Sequence, residues 1–265
     1  MKKIVCRFNL NALISAAALG LPMAAPAHDL VLIPEPSGDL TVRFGHPGDW
    51  QPASVDRLLG LQIDGAAVAG RKGAATLRTQ GKNLVASKVA SQSQAQLVNA
   101  SYDNGLWVTV PDAAGKPVYF NTSKAMLPQA TTSMAALKFA KGLYATSGDT
   151  AVFKREVNHL IELIPQRNPA DVKPGQSLSV LVKFNGVPLA NAGVELTDSA
   201  TKTTKGQAKF TTDAQGMASV PIRRGGLNVI SVDHEQPNNG TLGAPLSALP
   251  VDQIAVIATY AFQVR

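Results

Sequence analysis

The second half of the chain is dominated by short runs in which apolar and polar residues alternate, separated by turn residues. In the clearest run one parity is apolar throughout: Ile254, Val256, Ala258, Tyr260, Phe262 and Val264. Similar runs occur at 178–184, 194–196, 218–222 and 230–232. Strict alternation is typical of a strand with one buried face. About seven such strands predict an immunoglobulin-like β-sandwich from about residue 155 onwards.

The first half shows the same signals less regularly. Apolar runs predict strands at 30–33 and 40–44, and a hairpin joins predicted strands at 106–110 and 118–121. Residues 70–104 give no clear pattern, and the spacing of Met134, Leu137 and Leu143 predicts a helix over 131–144. The fold class is therefore predicted to be mainly β. It would be an antiparallel β-sandwich with an immunoglobulin-like C-terminal domain (151–265) after a less regular β-rich N-terminal domain (28–150), the boundary lying near 147–149.

Residues 1–27 have the pattern of a cleavable secretory signal peptide. Basic residues precede an apolar stretch over 10–23, and Ala25-Pro26-Ala27 forms a small-x-small cleavage site. The apolar stretch is too short for a membrane span, and no later segment of the chain approaches one in length. We therefore expect a periplasmic protein with no membrane span in the mature chain, which would begin at His28.

Charge and cysteine content narrow the class of protein. The precursor has a formal net charge of +7, and removing 1–27 leaves 22 basic against 18 acidic residues, a charge of +4. These cations are scattered among few aromatic residues, which argues against a nucleic-acid partner. The one cysteine, Cys6, lies within the predicted signal peptide. A transition metal would therefore be bound by imidazole, amine, thioether or carboxylate groups.

The histidines are the candidate metal ligands. Cleavage before His28 would place a free α-amine beside its imidazole, so that one residue supplies two nitrogen ligands. His46 and His234 each continue the apolar face of a predicted strand at the point where that strand ends, and Asp233 and Glu235 flank the latter. The alternatives are a frayed terminus for His28 and two partly buried, hydrogen-bonded histidines. A structural role is favoured for His159, which lies in an apolar run.

Signals of catalysis are weak. The chain has no H-E-x-x-H helix, no G-x-S-x-G elbow and no Gly-rich phosphate loop. We therefore predict that the protein is not an enzyme.

Several segments resemble a periplasmic family of unknown function linked to nickel and cobalt uptake, whose members join an N-terminal β region to an immunoglobulin-like part. The matching segments are A-H-D (27–29), G-H-P (45–47), I-E-L-I-P-Q-R-N-P (161–169), G-V-P-L-A-N-A-G-V (186–194), T-T-D-A-Q-G (211–216), G-G-L-N-V-I-S-V-D-H (225–234) and the alternating end at 254–264. The resemblance implies a protein that binds or delivers a divalent metal beside an uptake transporter or another envelope protein. In place of further histidines after G-H-P, this chain has Gly48-Asp49-Trp50.

Three functions are compatible with these features. The first is a metal-binding accessory protein that uses His28, His46 and His234 with Asp233 or Glu235 in support. Nickel or cobalt follows from the resemblance, and copper(II) fits nitrogen ligation at least as well. The second is a non-catalytic structural or interaction module of the cell envelope. The third, weaker function is a copper oxygenase that acts on polysaccharide through its terminal histidine.

Overall fold

The computed structural model describes residues 28–34, 40–65, 72–74, 76–80, 83–87, 96–144, 151–203 and 207–265. The predicted signal peptide (1–27) and domain boundary (147–149) lie outside these ranges. Strands dominate, and the only helices among the described residues are short 3-10 turns, at Val55–Arg57, Val152–Lys154, Pro169–Asp171 and Leu246–Ala248. The mainly β fold with antiparallel-rich sheets is confirmed, whereas the immunoglobulin-like topology stays a prediction.

The strands form three sheets. The N-terminal sheet has the order β1 (Asp29–Pro34), β2 (Leu40–His46), β7 (Asn83–Ser87) and β6 (Thr76–Gln80), with β3 (Asp49–Pro52) also paired to β2. The central sheet has the order β15 (Ala208–Thr211), β14 (Gly193–Thr197), β17 (Gly226–Pro237), β18 (Gln253–Val264), β10 (Thr132–Tyr144), β8 (Gln96–Pro111), β4 (Leu58–Gly65) and β5 (Lys72–Ala74), with β9 (Pro117–Phe120) on β8. The C-terminal sheet has the order β11 (Ile161–Pro165), β12 (Ser177–Phe184) and β13 (Val187–Pro188), with β16 (Met217–Pro221) on β12.

The helix predicted over 131–144 is wrong, because this segment is β10. β10 is buried on both faces. Ala135, Phe139 and Leu143 join the core beneath the C-terminal sheet, and Ala140 joins the core beneath the N-terminal sheet. A strand buried on both sides loses its apolar–polar alternation, so its sequence does not show the period of two.

β10 also joins the two halves of the chain. It pairs antiparallel with β8 and parallel with β18, from Met134 opposite Gln253 to Leu143 opposite Phe262. The predicted domains 28–150 and 151–265 therefore contribute strands to one continuous sheet.

The central sheet carries a different layer on each face. One face packs on the C-terminal sheet through the largest apolar cluster, which includes Leu178, Val180, Ile230 and Tyr260. Against the other face lies the N-terminal sheet, where Leu30, Leu32 and Val42 pack on Val98 and Ala140. The protein is thus built of three β-layers, with the central sheet covered on both sides.

β1 lies close against the central sheet. The Thr259 hydroxyl of β18 donates a hydrogen bond to the Leu30 carbonyl. The Cα of Gly142 faces Leu32 so closely that an added Cβ would lie 3.0 Å from the Leu32 Cβ. Leu30 and Leu32 enter the core with β8 and β10, whereas Val31 packs with Val229 and Ala261 of β17 and β18. Both sides of β1 are therefore buried, and the positions of its first residues are fixed.

Among the described residues, no helix is long and apolar enough to cross a membrane.

Candidate metal and ligand site

The register of β1 and β2 brings two of the predicted ligands together. Asp29 pairs with Gly45 and Leu30 with Phe44, so one further step along the ladder places His28 opposite His46. The two imidazole rings stack with centroids 4.3 Å apart and an interplanar angle of 24°. Cross-strand neighbours on one face of an antiparallel pair are in direct side-chain contact. The pairing of β1 with β2 therefore suffices to join these two histidines.

Aromatic rings extend this stack into the core. His28 stacks on Phe44 at 5.2 Å, and Phe44 stacks on Tyr102 of β8 at 5.3 Å. Tyr102 belongs to the buried cluster beneath the N-terminal sheet. The histidine pair is thus the outer end of a row of stacked rings, and its position is fixed from one side by the core.

Burial lowers the pKa of both imidazoles. For His28 the other causes that lower the pKa are His46 and Lys138, and Asp49 opposes them. For His46 the second cause is Lys138, and Asp49 and Glu195 oppose it. A lowered pKa favours the neutral imidazole, which is the form that ligates metals.

The hairpin between β2 and β3 fixes the position of His46. His46 pairs with Asp49 across the turn Pro47-Gly48. Gly48 has φ +85°, and a Cβ added to it would lie 2.1 Å from the Lys202 carbonyl oxygen. The backbone of the turn thus rests directly on the loop after β14, which only glycine permits. Gly48, the residue directly after the G-H-P segment, therefore anchors the hairpin to the C-terminal half of the chain.

A buried ionisable pair lies beside the histidines. Asp29 is 6% exposed and Lys138 is 1% exposed. Burial raises the pKa of Asp29 and lowers the pKa of Lys138, and the attraction between the two groups opposes both shifts. Asp233 also acts on both, raising the pKa of Asp29 and of Lys138. Lys138 thus lies between the histidine pair and the acidic residues Asp233 and Glu235 of β17.

Those acidic residues line a cavity of about 400 Å³ at one end of the central sheet. Asp29, Glu195, Asp233 and Glu235 provide its charged lining. The rest of the lining comes from β8, β9, β10, β17 and β18: Thr109, Tyr119, Thr132, Met134, Ser231, Val232, His234, Gln253, Ala255, Val256 and Ile257. The cavity, called the acidic pocket below, has the size of a small-molecule site.

The remaining predicted ligands are divided between the faces of β17. The His234 ring packs on Phe184 of the C-terminal sheet, with centroids 4.6 Å apart. Asp233 and Glu235 are exposed and line the acidic pocket, which His234 also borders. Neighbours along a strand point to opposite faces, so one strand cannot present all three side chains to one point. His28 therefore contacts His46, whereas the His234 ring contacts Phe184 instead of either histidine.

His159, for which a structural role was favoured, packs on Phe139 at 4.9 Å. Burial lowers the pKa of His159 to about 3, with a smaller contribution from Lys141.

The side chains around the histidine pair form only part of a site for a metal ion that prefers nitrogen ligands. Within the ranges that the structure describes, no group of three or more His, Asp or Glu side chains is arranged to hold a metal ion. The lone pairs of nearly parallel stacked rings lie in separate planes, so the rings must turn to share one ion. His28 and His46 supply two imidazoles, Asp49 faces His46 across the hairpin, and cleavage after Ala27 would add the α-amine of His28.

Three charged residues of this region were not predicted from the sequence: Asp29, Lys138 and Glu195. Lys138 occurs in an otherwise apolar run, A-A-L-K-F-A, and a lone charge in such a run is itself a signal of a buried partner. The helix prediction hid this signal, because on a helix surface Lys138 would be an ordinary solvated residue. Glu195 alternates with the buried residues Val194 and Leu196, as many solvent-facing strand residues do.

The described residues thus form a mainly β protein of three packed sheets, with a histidine pair beside an acidic pocket. The chain belongs to the family described as Domain of unknown function (DUF4198), whose model matches residues 25–236. The match includes the histidine pair and most of the acidic pocket, and it ends before β18. The predicted membership of a family of unknown function is confirmed; the nickel and cobalt association stays a prediction. No curated protein matches the chain.

Proposed function

We propose that the protein is a periplasmic accessory protein that binds a divalent transition metal as cargo, with His28 and His46 as its ligands. The observation that carries the proposal is the contact between these imidazoles, whose rings lie 4.3 Å apart at the end of a row fixed by Phe44 and Tyr102. Lowered pKa values keep both rings neutral, so neither has to lose a proton before it binds metal.

Export and cleavage after Ala27 would complete the site. The cleavage frees the α-amine of His28, and amine and imidazole nitrogen of one residue then chelate the same ion. Asp49, opposite His46 in the hairpin, is in place to supply an oxygen ligand or to orient an imidazole. The proposed site thus has three nitrogen ligands from two residues, and the Asp49 carboxylate is a fourth candidate ligand. Asp233 and Glu235, which line the acidic pocket, supply no ligand in it.

Nitrogen ligation favours the later divalent metals. Affinity for such donor sets rises from cobalt to nickel to copper. Nickel or cobalt is proposed on the family resemblance described above, and copper is the competing metal on affinity. Delivery to an uptake transporter or another envelope protein is part of the same proposal.

Calorimetric titration of the exported protein with nickel, cobalt, copper and zinc tests the proposal, after mass spectrometry has established its first residue. Changes outside the first ligand shell already weaken metal binding by about 10- to 100-fold. We therefore expect His46→Ala to weaken binding by at least about 100-fold. One alanine inserted before His28 should have a similar effect, because it separates the α-amine from the imidazole.

His234→Ala is the matched control, since it removes an imidazole that packs on Phe184 rather than on His28. It should change the metal affinity by less than about threefold, as expected for a substitution that shares no partner with the site. Equal metal binding by the unaltered protein, His46→Ala and the alanine-extended form would overturn the proposal and favour the structural or interaction module.

A further inference from the structure

The acidic pocket has properties that a bare metal ion would not use. Its volume is about 400 Å³, within the usual range for sites that enclose small organic molecules. It lies where one end of each of β8, β10, β14, β17 and β18 meets the first residue of β1. The central sheet and the first residue of β1 thus define a cavity beside the histidine pair but separate from it.

The charged side chains that line the pocket have one sign, and the buried cation Lys138 lies outside the lining, beside Asp29. Every charged side chain in its lining is acidic: Asp29, Glu195, Asp233 and Glu235. Glu195 lies opposite Ser231 on β17, and Asp233 follows two residues later on the same face of that strand. Lys209 pairs with Glu195 at 2.6 Å, but its side chain is 72% exposed, so it lies at the outer edge. Such a lining repels carboxylates and phosphates and attracts cations.

The pocket also has an apolar floor. Met134 and Ala255 are 5% and 6% exposed and pack with Trp107 and Tyr119. Ile257, two residues after Ala255, lies on the same face of β18 and continues this apolar strip. Ile257 pairs with Asp233 in the β17–β18 ladder, so the strip leads towards that carboxylate. An inorganic cation gains nothing from such a strip, whereas hydrocarbon gains free energy in proportion to the area that it buries.

From these three features we infer that the acidic pocket binds a small aliphatic diamine or polyamine. One ammonium group is held by Asp233 and Glu235 with Glu195 beside them, and the methylene chain lies on Met134, Ala255 and Ile257. The inference is independent of the proposed metal site, because none of these residues ligates the metal there.

Calorimetric titration of the full mature chain with 1,5-diaminopentane at low ionic strength tests the inference. We expect saturable binding that weakens as salt is added, and no binding of glutarate, a five-carbon molecule with the opposite charges. The double variant Asp233→Asn and Glu235→Gln should weaken diamine binding by at least about tenfold.

Two controls separate the pocket from general charge and from the metal site. The double variant Asp171→Asn and Glu156→Gln removes the same charge at exposed positions outside the pocket and should leave diamine affinity unchanged. His46→Ala should also leave it unchanged, so the metal proposal and this one can fail separately. Thr132→Trp, which keeps the charge but places an indole at the exposed edge of the pocket, should abolish binding.

Any of three results overturns the inference. The first is no binding of 1,5-diaminopentane by the unaltered chain. The second is an equal loss of affinity in the pocket variant and the off-pocket variant. The third is binding of Mg²⁺ or methylamine as tight as that of the diamine, because the hydrocarbon strip would then contribute nothing.

Discussion

β10 carries two buried lysines on opposite faces, and they show how differently the two sides of the central sheet are built. Lys141 forms a 2.5 Å ion pair with Glu162 and donates hydrogen bonds to the carbonyls of Arg155 and Leu163. Lys138 lies on the other face beside Asp29 and the histidine pair. The first lysine is enclosed by its partners, whereas Asp29, the carboxylate beside the second, lines the acidic pocket.

The comparison teaches that burial alone does not mark a functional charge. Glu162 also accepts a hydrogen bond from the Val157 amide, so the Lys141 pair ties β10 to the segment before β11. Desolvation lowers the pKa of both lysines. What distinguishes Lys138 is its neighbour Asp29, which lines the acidic pocket. The Lys141 side therefore ties β10 to the C-terminal half of the chain, whereas the Lys138 side is the one on which ligand binding is proposed above.

The largest effect expected is on the enclosed side. Lys141→Met leaves the Glu162 carboxylate buried without its cation, which should lower the free energy of unfolding by about 3–5 kcal/mol. The double variant Lys141→Met and Glu162→Leu should recover most of that loss, because apolar pairs replace buried ion pairs well. Urea unfolding of the three proteins measures this. A double variant no more stable than the single one would show that the Val157 and carbonyl contacts dominate instead.

A pH effect of intermediate size is expected from His159 on the same side. Its pKa is about 3 in the folded protein, against about 6.5 in the unfolded chain. The unfolded chain therefore binds the proton first, so stability is complete above pH 6.5 and is lost progressively as the pH falls towards 3. Between pH 7 and pH 4.5 we expect this residue to account for a loss of about 2 kcal/mol.

Urea unfolding at these two pH values, with His159→Leu alongside, checks the assignment. The leucine variant should lose less stability on acidification than the unaltered protein. An unchanged acid sensitivity in His159→Leu would contradict the lowered pKa.

The most selective effect is expected on the open side. Gly48→Ala places a Cβ against the Lys202 carbonyl at a positive φ, which should cost about 1–3 kcal/mol. The hairpin that carries His46 would then shift, so metal affinity should fall together with stability. Gly186→Ala is the control, since it has a similar φ of +77° but no atom within 4 Å of the added Cβ. Equal metal affinity in both variants would show that His46 does not depend on this anchor.

The sequence was most informative where a strand has one buried face. The parity of residues 254–264 predicts β18, whose even positions all enter the core beneath the C-terminal sheet. The same rule failed at β10, because alanines, glycine and paired lysines fill both of its faces. A lysine that is neutralised by a partner from another sheet looks identical in sequence to a solvated one.

The sequence predicts individual residues of the candidate site, but it does not predict which of them contact each other. Strand parity put His46 at the end of an apolar face, and the structure agrees that Phe44 and His46 share a face. Its ring neighbour depends on the register of β1 with β2, which no local pattern specifies. The acidic pocket combines Asp29 with residues more than 160 positions later, and such contacts follow from the packing of layers rather than from spacing.

The parallel pairing of β10 with β18 also bears on how the chain acquires its structure. β10 ends at Tyr144, and its neighbour β18 begins only at Gln253, so one edge of β10 stays open while the intervening residues are synthesised. Contacts so distant in sequence form slowly, because a long loop must close before they are gained. The nascent chain therefore cannot complete its central layer until almost all of its residues have been synthesised.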